Sequence, residues 1–153
     1  MSAEQMRELI LDLYSARKEC KEYFEFYLDP NIEKLTETYM AKIQKEIYRT
    51  KRGYMVARFS HLRNFIKEYE SYGPGADNVL KLMIDTFKLA VVIERHYYAK
   101  PAFVNGTIKL GQDILKYGDK HLLFDTAIKS VTEQLPVATL AVRNPLKEYI
   151  AQM

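Results

Sequence analysis

The sequence predicts an all-α protein built from three stacked helical hairpins and a C-terminal capping segment. Apolar residues recur at three- and four-residue intervals over most of the chain, as they do in amphipathic helices. Glycine and proline, which interrupt helices, number only 6 and 5 in 153 residues. Tyr27, Tyr72 and Tyr117 lie 45 residues apart, within the period of about 40–47 residues of two-helix repeats. The hairpins therefore form either a solenoid-like stack or a compact helical bundle.

The first hairpin is predicted over residues 3–48, with a turn at Asp29-Pro30. Ser2 and Gln5 form a capping-box pattern that opens its first arm. That arm is either one long helix or two helices with a break near Ser15. Asp29 is the expected N-cap of the second arm, and Pro30 suits the first helical position. Each arm carries an apolar stripe: Met6, Leu9, Ile10, Leu13 and Tyr14 in the first, and Ile32, Leu35, Tyr39, Ile43 and Ile47 in the second.

Residues 49–57 interrupt the helical pattern between the first two hairpins. Gly53 supplies the backbone freedom for a turn. The Tyr54-Met-Val run has the composition of a short strand, but no second strand is visible in the sequence. We therefore expect a loop here.

The second hairpin is predicted over 58–72 and 76–98, separated by a Gly-Pro-Gly turn after Tyr72 that ends its first helix. Asp77 is the expected cap of the second helix. That helix is apolar almost all round, from Val79 to Ile93. A helix without a polar face lies inside a bundle, so this element is predicted to be the most buried.

The third hairpin is predicted over residues 101–135. Gly118 is expected to end its first helix and Asp119 to cap its second. Gly106 and Gly111 each cost about 1 kcal/mol relative to alanine inside a helix. That cost suggests that a neighbouring helix approaches closely at these positions.

A single helical domain over residues 1–153 is expected from the chain length. Its capping segment is predicted as a short helical pair broken at Asn144-Pro145. The one cysteine, Cys20, excludes an internal disulfide. The longest apolar run, Leu89–Ile93, falls far short of the roughly 20 residues of a membrane span. We therefore expect a cytoplasmic protein that does not associate with membranes.

The charge of the chain is concentrated in one segment. Residues 42–63 contain seven lysines or arginines and one acid, Glu46, whereas the remainder has a net charge of −3. Cations neutralise phosphates, aromatic faces stack on bases, and a helix beginning near Arg58 offers backbone N–H groups to an anion. This segment is the candidate site for an anion, a nucleic acid or an acidic protein partner. Its candidate residues are Arg49, Lys51, Arg52, Tyr54, Arg58 and Arg63.

No catalytic constellation, metal site or cofactor motif is predicted. His61, His96 and His121 lack a second ligand at metal-binding spacing. The function expected first is a non-enzymatic helical interaction protein that binds a protein partner or itself as a homo-oligomer. The alternative is a nucleic-acid or anion-associated factor that uses residues 49–63. A third hypothesis is an enzyme whose site is assembled from distant residues.

Three segments resemble a family of small bacterial all-helical proteins of unknown function, over about the first two thirds of the chain. They are Glu8-Leu-Ile-Leu-Asp-Leu-Tyr14, Leu28-Asp-Pro-Asn31, and the run from Arg58 through Phe-Ser-His-Leu-Arg-Asn-Phe-Ile-Lys-Glu-Tyr-Glu-Ser-Tyr-Gly to Pro74. The resemblance implies a bacterial cytoplasmic protein with an all-α fold. It implies no activity and no catalytic residues.

Overall fold

A computed structural model describes residues 1–153 and is 77% helical, which confirms the predicted all-α class. The elements in chain order are α1 Ala3–Ala16, α2 Lys18–Leu28, α3 Ile32–Ile47, β1 Thr50–Lys51, β2 Tyr54–Met55, α4 Phe59–Ser71, α5 Ala76–His96, α6 Pro101–Lys120, α7 Phe124–Gln134 and α8 Leu140–Ala151. The chain divides into two compact units, Met1–Leu35 and Thr36–Met153. A single domain over residues 1–153 stays a prediction.

The first unit contains α1, α2 and the beginning of α3. Ser2 caps α1 as expected: its Oγ accepts from the Gln5 backbone N–H at 3.1 Å, and its own N–H donates to Gln5 Oε1 at 2.8 Å. One extended residue, Arg17, separates α1 from α2, so the two-helix alternative is right. The Tyr14 hydroxyl then donates to Glu25 Oε1 at 3.1 Å, which links the two helices.

The N-cap predicted for α3 is wrong by two residues. Asn31 Oδ1 accepts from the Lys34 backbone N–H at 3.1 Å, so Asn31 caps the helix. Asp29 instead ends α2, because its N–H donates to the Glu25 carbonyl.

The second unit is a bundle centred on α5 and α6. Helix α6 packs against α5, α7 and α8, and α5 also packs against α4 and α7. Consecutive helices and helices two apart in the chain are therefore in contact, and the fold is a compact helical one. Helix α5 buries more side chains than any other helix, as its all-round apolar character predicts. The 45-residue repeat stays a prediction: Tyr27 lies near the end of α2, Tyr72 caps α4, and Tyr117 lies within α6.

Tyrosines join the part of α3 in this unit to α4. The rings of Tyr39 and Tyr69 meet edge to face, with centroids 5.8 Å apart, and Tyr39 and Tyr72 do so at 6.0 Å. Thr36 Oγ1 and Tyr69 Oη share a hydrogen bond of 2.8 Å, and Tyr39 donates to Glu68. Burial, followed by hydrogen bonding to Tyr72, raises the pKa of Tyr39 above its ordinary value, so its hydroxyl stays protonated.

Close helix approach explains the glycines of α6. A Cβ at Gly106 would overlap the Phe59 ring of α4, and one at Gly111 would lie 2.9 Å from a methyl group of Leu146 in α8. Gly118 does not end the helix as predicted, because α6 continues to Lys120. Its role is contact with α7, where Ala127 leaves no room for a side chain.

Three other predicted boundaries are also corrected. Asp119 lies inside α6, and Leu123 is the N-cap position of α7. Asp77 lies in the first turn of α5, after the N-cap residue Gly75. Helix α8 is continuous through Pro145, although proline removes a backbone donor. The helix packs against α6.

Candidate macromolecule-binding surface

Residues 50–55 form a β-hairpin, so the predicted loop is wrong. Thr50 pairs with Met55 and Lys51 with Tyr54 in antiparallel register. The two turn residues, Arg52 and Gly53, have φ angles of 52° and 81°. Positive φ at both positions is the pattern of a type I′ turn, whose twist matches that of paired strands.

The segment between α5 and α6 runs along the hairpin beside Met55. The Met55 N–H donates to the Tyr98 carbonyl at 2.7 Å, and the Lys100 N–H donates to the Met55 carbonyl at 3.3 Å. Met55 and Ala99 form a parallel bridge. These bonds bring the segment before α6 beside the basic segment, although more than 40 residues separate them in sequence.

A basic and aromatic surface results, which we call the hairpin surface: Lys51, Arg52, Tyr54, Tyr98 and Lys100. The Tyr54 and Tyr98 rings meet edge to face with centroids 6.4 Å apart, and the Lys100 ammonium lies 4.3 Å from the Tyr54 ring centroid. Tyr98 is 80% exposed. Lys51 and Arg52 form no ion pair, so their charges are available to a ligand.

The remaining candidate arginines are engaged inside the unit. Arg58 donates to Glu46 Oε1 from Nε at 2.9 Å and from Nη2 at 2.6 Å, and its backbone N–H donates to Oε2 at 3.3 Å. Arg49 Nη1 lies 4.0 Å from Glu46 Oε2. Arg63 Nε lies 3.7 Å from Asp113 Oδ2. Of the six candidates, only Lys51, Arg52 and Tyr54 belong to the hairpin surface.

Glu46, the one acid of the basic segment, organises these arginines. Its side chain is 6% exposed, and His61 Nδ1 lies 3.4 Å from Oε1. Burial raises the pKa of Glu46, but hydrogen bonds from Arg58 and the charges of Arg58 and His61 outweigh it, so the net shift is downward. The carboxylate lies at the N-terminus of α4, so the chain itself supplies the anion that this helix end favours.

Sequence reasoning did not place Tyr98 and Lys100 in the site. Backbone hydrogen bonds of Met55 link them to the hairpin, and no side-chain pattern in the sequence predicts those bonds. The role of Glu46 as the partner of several cations had one sequence signal: it is the single acid among seven lysines and arginines in residues 42–63. No group of His, Cys, Asp and Glu side chains is arranged to hold a metal ion.

The fold and this surface define an all-helical protein of two compact units, with a basic and aromatic β-hairpin set into the second. None of its helices combines the length and apolar character needed to cross a membrane. The chain belongs to the family of unknown function DUF6155, whose model matches residues 1–139. This confirms the predicted membership of an uncharacterised family, and the match ends just before α8. Comparison with curated proteins gave no match, nor did comparison with solved structures.

Proposed function

We propose that this protein is a non-enzymatic helical interaction protein that pairs with a second copy through α1 and α2. One observation carries the proposal: ten of the nineteen large exposed hydrophobic side chains lie in residues 1–35. Neither α1 nor α2 contains a buried residue. Contiguous exposed apolar surface marks interaction sites on folded proteins.

Four of the exposed apolar side chains of α1 form one stripe. Met6, Leu9, Ile10 and Leu13 follow the three- and four-residue spacing of a single helix face, and each is between 37% and 51% exposed. Helices of 14 and 11 residues are marginal in water, where isolated helices need about 12–15 residues even with favourable composition. Burial of the stripe against a partner supplies the missing stabilisation.

Charge favours a second copy as that partner. Helix α1 carries three acids and one base, whereas residues 17–21 carry three bases and one acid. A two-fold axis that sets α1 of one copy beside the start of α2 of the other pairs these opposite charges twice. Lys18 and Lys21 are held within α2 only by long, exposed pairs with Glu22 and Glu25, at 3.7 and 4.0 Å, which contribute little. Closed two-fold pairing is also the commonest symmetry of soluble oligomers.

Sedimentation equilibrium tests the pairing. The wild-type protein is expected to dimerise, and a Leu9→Gln/Leu13→Gln variant is expected to dissociate at least tenfold more readily, because each buried leucine contributes about 1.5–3 kcal/mol. Glutamine keeps high helix propensity, so α1 itself is retained.

A Leu122→Gln/Leu140→Gln variant is the matched control, because both leucines are exposed on the second unit at 94% and 63%. It should dimerise like the wild type. A wild-type protein that stays monomeric at every concentration, or equal dissociation of both variants, would refute pairing through α1.

The hairpin surface favours a second candidate function, the binding of single-stranded nucleic acid. Such proteins combine backbone-neutralising cations with aromatic faces on which bases stack. Lys51 and Arg52 supply unpaired cations, and the largely exposed Tyr98 supplies a ring face. Arg58 is paired with Glu46, so it adds no free positive charge to this surface. Nucleic-acid binding therefore remains the second candidate function.

Fluorescence anisotropy with labelled single-stranded RNA and DNA tests this second function. Arg52→Asn removes the charge while asparagine tolerates positive φ, so the turn is kept. The slope of log affinity against log salt concentration is expected to become shallower by about one, because one phosphate contact is lost. Tyr98→Ala is expected to weaken binding by roughly 1–3 kcal/mol. Lys147→Gln, at an exposed position of α8, is the control, and binding by Arg52→Asn and Tyr98→Ala that equals the control would eliminate this function.

A further inference from the structure

A groove between α4, α5 and α6 has an apolar floor. Its floor residues are Ile66 from α4, Val79 and Met83 from α5, and Leu110 from α6. Its volume is about 300 Å³, at the lower end of the range of about 300–1,000 Å³ for small-molecule sites. A helix, which is about 10–12 Å across with its side chains, needs a much larger trough. The groove therefore suits a narrow apolar chain.

The rim of this groove is cationic. Lys67, Lys116 and Lys120 line it and form no ion pair with any carboxylate. Their aliphatic stems extend the apolar walls while the ammonium groups stay in water. Arg63 also lines the groove, and its pair with Asp113 is long, at 3.7 Å.

The second acid of the rim, Glu70, lies beside Tyr117. Burial raises the pKa of Tyr117, and the neighbouring Glu70 carboxylate raises it further, so the tyrosine stays protonated. The Tyr117 ring packs on His121 with centroids 4.1 Å apart, which holds it in place. The cations of the rim that form no ion pair, and can therefore meet an anionic ligand, are the three lysines.

We propose that this groove binds a fatty acid, with its single alkyl chain on the floor and its carboxylate among Lys67, Lys116 and Lys120. The apolar floor excludes a purely polar anion as the preferred ligand, because its lining offers carbon rather than hydrogen-bonding groups. The unpaired lysines distinguish a carboxylate from an uncharged alkyl ligand of equal length. Met83 lets the floor adapt to the chain, since its unbranched thioether changes shape readily.

Isothermal titration calorimetry with dodecanoate, below its critical micelle concentration, tests the proposal. Across hexanoate, octanoate, decanoate and dodecanoate, affinity is expected to rise about fourfold for each added methylene until the groove is filled. Dodecanol, which lacks the charge, is expected to bind at least fivefold more weakly than dodecanoate, as charge-assisted contacts are lost.

A Lys116→Gln/Lys120→Gln variant should lose at least fivefold in dodecanoate affinity while keeping its affinity for dodecanol. Both side chains are exposed, so the fold is retained, and thermal unfolding verifies this. Lys129→Gln, an exposed lysine of α7 outside the groove, is the matched control. No binding of dodecanoate, equal binding of dodecanol, or an unchanged double variant would each overturn the proposal.

Discussion

Replacing Gly118 by alanine is expected to lower the free energy of unfolding by about 1–3 kcal/mol, the range for overpacking a core contact. The new Cβ would lie 2.5 Å from the Ala127 Cβ and 3.1 Å from the Leu123 carbonyl oxygen. Neither obstacle can rotate away, because one is fixed directly to the α7 backbone and the other belongs to it. Helices α6 and α7 must separate, and this cost exceeds the gain of about 1 kcal/mol from alanine's helix propensity.

Urea unfolding of three variants checks this expectation. Gly118→Ala/Ala127→Gly should recover part of the lost stability, because removing the Ala127 methyl group reopens the contact. Gly111→Ala should cost less than Gly118→Ala, since its obstacles are the far ends of Leu146 and Phe87. A Gly118→Ala protein as stable as the wild type would mean that α6 and α7 are not in close contact here.

Replacing Glu46 by glutamine at neutral pH is expected to cost about 2 kcal/mol, since hydrogen bonds to charged groups contribute about 1.5–3 kcal/mol. The change preserves shape but removes the negative charge that Arg58, Arg49 and His61 share. Arg63→Gln is the matched comparison. Its pair with Asp113 is partly exposed, at 32% and 27%, so the loss should stay below about 1 kcal/mol.

The stabilisation by Glu46 has a defined dependence on pH. Its pKa in the folded protein lies below the ordinary value of 4.5, so its contribution is fully present above that value. It is lost as pH falls through the lowered folded pKa, where the native carboxylate becomes protonated. The difference in stability between wild type and Glu46→Gln should therefore shrink in acid. A difference that stays constant from neutral pH down to about pH 3 would show that charge is not the cause.

Helix boundaries show where local sequence signals are sufficient. Ser2 caps α1 as predicted, because both partners of its capping box lie within one turn. The Gly118-Asp119 pair predicts the end of a helix, yet α6 continues through both residues. The glycine is required by a neighbouring helix, and no local pattern distinguishes that reason from termination.

The sequence predicts which types of residue the candidate site contains, but it does not predict which of them lie together. The excess of cations in residues 42–63 is visible in the sequence, and Lys51, Arg52 and Tyr54 do lie together at the hairpin. Which arginines stay free depends on Glu46, whose burial is a property of the packed bundle. Tyr98 joins the surface through backbone bonds from Met55 across a long sequence separation.

The sequence alone determines the all-α class, the position of most helices and the burial of α5, because helical periodicity and apolar content are local properties. Tertiary structure decides the β-hairpin, whose strand Thr50–Lys51 is too short and polar to be recognised. It also decides which cations of the basic segment pair with Glu46 and which remain exposed to solvent. The groove between α4, α5 and α6 likewise depends on tertiary packing. Those features depend on contacts between residues far apart in the chain, and packing in three dimensions selects them.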